Sequence, residues 1–162
     1  MSEFDQRALR DVMGRFCTGV VLVTALDGTE PVGFAAQSFV SLSLAPPLVG
    51  VCPALTSTSW PRIRGAGHFC INVLGADQKP LCDAFARSGG EKYAGVDWAP
   101  GPGGAPHIAG ALAWIDCDLE AEHEAGDHTI AVGRVRALQA AGADGLPLLF
   151  YTGAYGRFAA LD

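Results

Sequence analysis

The spacing of apolar and polar positions divides the chain into short elements, most of them strands. Phe4, Ala8, Val12 and Phe16 recur every fourth residue, and Ser2 stands where a hydroxyl can cap a helix carrying them as one stripe. Gly19-Val-Val-Leu-Val-Thr-Ala25 reads as a strand buried on both faces, ended by the Asp27-Gly28 turn. Val32 to Leu44 reads as a second extended segment rich in small hydroxyl residues. Ala45-Pro46-Pro47 breaks it, because proline cannot continue a ladder, and Leu48 to Cys52 is a third strand. Ser57-Thr-Ser-Trp-Pro61 has a hydroxyl cap and a first-turn proline, which marks a helix start. Phe69 to Leu74 is a fourth strand, and Asp77 to Arg87 a helix with Pro80 near its beginning. The Gly/Pro-rich stretch from Val96 to Pro106 reads as an irregular loop.

The clearest period-two signal follows. Ile115, Cys117, Leu119 and Ala121 alternate with Asp116, Asp118, Glu120 and Glu122, predicting one packed face and one wet face. Glu124 to Asp127 makes the turn, Thr129 to Leu138 returns as the partner strand, and Leu148 to Tyr151 is the last strand. About six strands with short connections and a few short helices predict a mainly β fold, a closed antiparallel barrel. With no linker and no repeat, residues 1–162 read as one domain.

Composition narrows the function. The chain is 49% hydrophobic and 17% charged, more apolar than a monomer of this size easily hides, so subunit contacts are expected. A formal net charge of −6 and the lack of a basic run argue against nucleic acid. The charged opening predicts no signal peptide, and the greasiest run, Cys17 to Leu26, is too short to span a bilayer. The cytoplasm is therefore the expected location. Cys17, Cys52, Cys70, Cys82 and Cys117 all sit in apolar runs and read as free buried thiols. There is no P-loop and no dinucleotide-binding glycine fingerprint. His123 and His128 are five apart across a turn, not four apart on one helical face, so no metal site is expected.

Three segments invite two readings each. Ala35-Ala36-Gln37-Ser38-Phe39-Val40-Ser41 is either a strand with polar residues toward water or a strand whose backbone amides and small side chains face a flat heteroaromatic ring. Ser57, Thr58 and Ser59 either cap a helix or hold an anion. Gly126-Asp127-His128 is either a plain hairpin turn or a donor to a carboxamide or phosphate.

Taken in order, Phe16 to Thr24, Gly33 to Phe39, Ser41 to Leu48, Ser57 to Ser59, Phe69 to Leu74, Asp77-Gln78, Phe85-Ala86, Gly126 to His128 and Gly153 to Tyr155 span nearly the whole chain. The chain resembles the flavin reductase-like family, with its split β-barrel of six antiparallel strands in Greek-key order. Within that family it looks most like the short reductase components of two-component flavin-dependent monooxygenases. The resemblance implies FMN or FAD as the flavin, NADH or NADPH as the hydride source, a homodimer, and a separate oxygenase as partner. It implies that Ala35, Ala36, Gln37 and Ser38 line the flavin ring, and that Cys52, Pro53 and Ala54 follow the ribityl chain. Ser57, Thr58 and Ser59 would hold the phosphate, with Phe85 and Ala86 closing over the flavin. His128 and Tyr155 would approach the nicotinamide, and Asn72 would be structural. Relatives usually carry threonine where this chain has Ala35, asparagine or serine at Gln37, and often a basic residue at Ala84. No side-chain acid or base is required, since the two cofactors supply the chemistry. Two rival readings stay open: an oxidase or monooxygenase with resident flavin, and a non-catalytic flavin- or haem-binding module.

Overall fold

The computed structural model describes residues 4–162. In chain order its elements are α1 (Gln6–Met13), β1 (Thr18–Gly19), β2 (Val21–Asp27), β3 (Glu30–Ala36), β4 (Val40–Leu44), β5 (Pro47–Val51), α2 (Trp60–Ala66) and β6 (His68–Val73). A short 3-10 turn leads into α3 (Lys79–Phe85). Then come β7 (Trp98–Pro100), β8 (Pro106–Ile108), β9 (Ala113–Ala125), β10 (His128–Ala140), β11 (Leu148–Tyr151) and β12 (Ala154–Arg157).

The main sheet is antiparallel, with strand order β3-β2-β6-β9-β10-β5-β4. It has seven strands, not six, and it does not close. The segment expected as one extended run from Val32 to Leu44 bends at residues 37–39, and this bend is the reason. β3 pairs with β2 at one edge of the sheet and β4 pairs with β5 at the other. Three residues join the two edges, so the sheet must curl until they approach, yet no ladder forms between them. The barrel is split there. Ser38 pins the bend by accepting a hydrogen bond from the Cys52 amide at 2.9 Å, just past the end of β5.

β2 is buried on both faces, as its unbroken apolar run requires. Val21, Val23 and Ala25 face the interior of the curl with Val51, Phe69 and Ile71, and Trp60 and Ile63 of α2 plug that space. Val20 and Leu22 face the other way, onto Leu74, Cys82, Phe85, Ile108 and Leu148.

The stretch expected as an irregular loop holds the β7–β8 hairpin, which covers the outer face of β2, β6 and β9. Thr24 donates to the Pro106 carbonyl at 2.6 Å, and the buried Asn72 accepts from the Ile108 amide at 2.8 Å. That cover overturns the expected wet face at its first position. Asp116 is 1% exposed, with Oδ2 2.7 Å from His107 Nε2. Glu120 farther along the same strand lies beyond the hairpin and is exposed.

The first helix differs from expectation too. The cap expected at Ser2 lies outside the described residues; Asp5 caps α1, accepting from the Arg7 amide at 3.1 Å. Of the expected apolar stripe only Ala8 and Val12 lie on α1; Phe4 and Phe16 flank the helix, and Phe4 is 83%, Val12 64% and Phe16 79% exposed. Of the five thiols, Cys70, Cys82 and Cys117 are buried, Cys52 is half-buried and Cys17 is exposed, because its segment runs along the surface. Among the described residues no helix is long and apolar enough to cross a membrane.

Candidate active site

The split in the sheet opens into a cavity of about 550 Å³. One wall is the end of β3 and the bend after it, Ala35, Ala36, Gln37 and Ser38. The floor is Cys52, Pro53 and Ala54, leaving β5. One end is Ser57, Thr58 and Ser59; Phe85 and Ala86 close α3 over it, and His128 and Tyr155 stand at the mouth. Every residue singled out in the sequence as a binding candidate therefore lines this one space.

Local chemistry explains the convergence. Thr129 donates its amide to the Pro53 carbonyl and Leu55 to the Asp127 carbonyl, each at 2.9 Å. These bonds zip the strand leaving β5 alongside the Gly126-Asp127-His128 turn, so the serine cluster and His128 share one cavity. Gly33 sets the depth of the opposite side. A Cβ there would meet Phe85 Cε1 at 2.9 Å and the Val23 carbonyl at 2.8 Å, so only glycine lets α3 seat so closely on β3. The Phe85 ring is held edge-on by Tyr93, centroids 4.9 Å apart. Tyr155 arrives on β12, a strand the sequence reading passed over, opposite Phe150 of β11.

The three hydroxyls at the head of α2 differ in role. Ser59 is the N-cap residue of α2, but the side-chain capping bond comes from Ser57, whose Oγ accepts from the Trp60 amide at 3.1 Å. Ser59 Oγ donates instead to the Gly33 carbonyl at 2.9 Å and ties α2 to β3. Thr58 lies between them on the cavity wall. At the mouth, His128 Nδ1 lies 2.7 Å from the Asp127 carboxylate. With its proton on Nδ1, the neutral ring would present Nε2 as an acceptor. That hydrogen bond also holds Asp127 below the usual carboxylate range. The Tyr155 hydroxyl lies 3.5 Å from Cys82 Sγ, and chiefly that contact, with burial, pushes its pKa up to about 12.

The flavin reductase-like domain model matches residues 13–159. The chain belongs to the flavin reductase-like domain family. The HsaB reductase subunit of a flavin-dependent monooxygenase from Rhodococcus jostii (strain RHA1) is 50% identical over 151 residues, 93% of this chain and 77% of that one. Among solved structures, a homologue of nitrilotriacetate monooxygenase component B from Mycobacterium thermoresistibile superposes with a TM-score of 0.93. It is 44% identical and covers 96% of this chain and 87% of that one. The Streptomyces globisporus NADH:FAD oxidoreductase SgcE6, in complex with NAD and FAD fragments, has a TM-score of 0.89. It is 38% identical, with 98% of each chain covered.

In this flavin reductase-like chain the cavity also uses residues that the sequence reading missed, among them Thr56, Arg87, Ser88 and Lys92. Lys92 is the most telling. Its Nζ lies 3.0 Å from the Gly33 carbonyl, 3.2 Å from that of Phe85 and 3.4 Å from Ser59 Oγ. Loss of water around it lowers its pKa from the ordinary lysine value. Ala84 packs against the cluster around Leu22 and Phe85 and does not line the cavity. The cations come from the C-terminal side of Phe85 instead. A lone lysine after Gly89-Gly90 carries no periodicity, so only the folded chain brings it to the serine cluster.

Proposed function

We propose that this chain is the reductase component of a two-component flavin-dependent monooxygenase. It takes hydride from NADH, passes it to FMN or FAD, and releases the reduced flavin to a separate oxygenase. One observation carries the reading best. The chain has a formal net charge of −6, yet among the described residues no carboxylate lines its main cavity, while Lys92 and Arg87 both do. Such a cavity suits an anionic ligand with a flat apolar portion.

The residues then divide the work. Backbone and small side chains from Ala35 to Ser38 would take the flavin ring, with Cys52, Pro53 and Ala54 along the ribityl chain. Thr58, the flanking serines and Lys92 would hold the phosphate, and Phe85 and Ala86 would shield the ring from water. His128 and Tyr155 at the mouth would orient the nicotinamide. When both ligands are bound, they supply the hydride donor at C4 of the nicotinamide and the acceptor at N5 of the flavin. The protein's part is to stack those atoms and hold them, which makes a bimolecular transfer effectively unimolecular.

The exposed apolar side chains on and beside α1, Phe4, Leu9, Val12, Met13 and Phe16, and the 91% exposed Leu44 support a homodimer. The cytoplasm, where reduced nicotinamide is made, would be its place. Steady-state oxidation of NADH and NADPH, with riboflavin, FMN and FAD added in turn, tests the reading. NADH should be consumed only when flavin is added. Turnover by protein that purifies yellow, without added flavin, would instead favour a resident-flavin oxidase, and no turnover at all would favour a passive binding module.

A further inference from the structure

The outer face of β6 and β9 carries a second group of reactive side chains, none of which lines the main cavity. Alternation puts His68 and Cys70 on one side of β6, and the register sets Cys70 opposite Asp116 and His68 opposite Asp118. The β7–β8 hairpin then brings His107 across them from β8. Ligand-type atoms of Cys70, His107 and Asp116 all lie within 4.8 Å of one another. His68 Nε2 is 3.6 Å from the other carboxylate oxygen, Asp116 Oδ1. We propose that Cys70, His107, Asp116 and His68 form a zinc site that clamps the hairpin to the sheet.

The polar atoms here do not balance on their own. Asp116 is buried and, among the described residues, pairs only with imidazoles, while the Arg136 guanidinium is held by Asp118. A buried carboxylate so placed calls for positive charge. His68 Nδ1 lies 2.9 Å from Asp118 Oδ1. With its proton there, the ring turns only a lone pair at Nε2 toward the lone pairs of Asp116 Oδ1. Both of those atoms are buried with no hydrogen-bond partner. A cation between them removes the conflict, and Asp118 becomes the carboxylate that fixes the tautomer of a metal-bound histidine.

The donor set selects the ion. One thiolate, two imidazoles and one carboxylate suit tetrahedral zinc, whereas magnesium and calcium want oxygen throughout. Two nitrogen or oxygen ligands about 2.0 Å from such an ion stand about 3.3 Å apart, close to the His68–Asp116 spacing. His107 Nε2 and Asp116 Oδ2, now 2.7 Å apart, would open by roughly half an ångström as the ion replaces the proton between them. The Cys70 thiol gives its proton to solvent as the zinc–sulfur bond forms. Gly101 and Gly103 lie so close to the His107 and His68 rings that a Cβ at either would collide, so the hairpin covers the imidazoles only as glycine. Trp98 of the same hairpin packs edge-on to Tyr93, and Tyr93 to Phe85, so the clamp also steadies the wall behind Phe85.

The test titrates the tag-free full chain, stripped with a chelator, with Zn²⁺ in competition with a chromophoric chelator. It should take up one equivalent per chain with a Kd below about 1 µM, and zinc should raise its Tm. Co²⁺ in place of zinc should give thiolate-to-cobalt charge-transfer absorption. Cys70→Ala should abolish that band and weaken zinc binding on the order of a hundredfold. Cys17→Ala, at the exposed thiol outside the cluster, should change neither. His107→Gln, on the hairpin and not in the main sheet, serves if circular dichroism shows that Cys70→Ala does not fold. It should weaken zinc binding to a similar degree. Less than one equivalent bound at micromolar zinc overturns the proposal. So does full-affinity binding that survives Cys70→Ala or His107→Gln, which would place the ion on exposed side chains elsewhere.

Discussion

Lys92→Met keeps the aliphatic stem and removes the charge at the serine cluster. The structure sets what this should cost. Gly33 keeps a partner for its carbonyl in Ser59 Oγ at 2.9 Å, so the scaffold loses a donor chiefly at the Phe85 carbonyl. A charge-assisted bond to a phosphate is worth about 1.5–3 kcal/mol, and Lys92 is only half-buried, which favours the lower end. FMN and FAD should therefore bind about tenfold more weakly, while riboflavin, which has no phosphate, should bind as before. The assay is a side-by-side fluorescence titration of folded mutant and wild type. Its pH dependence adds a second check. Burial makes Lys92 easier to deprotonate than an ordinary lysine, and only the ammonium form attracts phosphate. Wild-type affinity for FMN should fall as pH rises through that lowered pKa, earlier than a solvated lysine would allow. Riboflavin affinity, and FMN affinity in the mutant, should lack that step. Equal losses for all three flavins, or none for any, would refute a phosphate role for Lys92.

His128→Ala should raise the KM for NADH several-fold, the loss of about 1 kcal/mol, and spare flavin affinity; unchanged NADH kinetics would reduce His128 to a turn residue. Asn72→Ala should destabilise the fold by about 2–3 kcal/mol in urea unfolding, because it strands the buried Ile108 amide and takes away the Nδ2 donor to the buried Thr24 hydroxyl. A change under 0.5 kcal/mol, roughly the surface-substitution level, would contradict the role of Asn72 in pinning the β7–β8 hairpin. Light scattering should report about twice the 16.8 kDa chain mass, and Val12→Glu/Phe16→Glu should halve it. A wild-type monomer with full activity would remove the dimer from the account.

What the sequence made legible was local pattern. The double burial of β2, the β9–β10 hairpin and the helix start at Trp60 follow from runs and turns a few residues long, and the fold honours them. What it hid depends on distant segments. Asp116 sits in an alternating strand, and only the β7–β8 hairpin lying across that strand puts it under cover. The hairpin itself is coded in glycine and proline, whose strand signal is weak, and its hold on β2 and β6 runs through Thr24 and Asn72. The same contrast holds at the site. Its serines, phenylalanine and histidine stand in recognisable short segments. Lys92 has no such setting, and the division of labour between Ser57 and Ser59 depends on which of them the β3 carbonyl happens to reach.

The sheet order has a consequence for how the molecule comes into being. β4 and β5 form their own hairpin early in the chain, but among the described residues the only strand that joins them to the rest of the main sheet is β10, where Val51 meets Ala131. During synthesis that hairpin waits, one edge unpaired, until most of the polypeptide has been made. An unpaired edge invites association with other chains. Contacts this far apart in sequence also close slowly, since the loop entropy is spent before the ladder forms. Truncations that end before Ala140 should therefore yield insoluble protein, not a smaller working domain. Slow refolding at low protein concentration should recover more native enzyme than rapid dilution at high concentration.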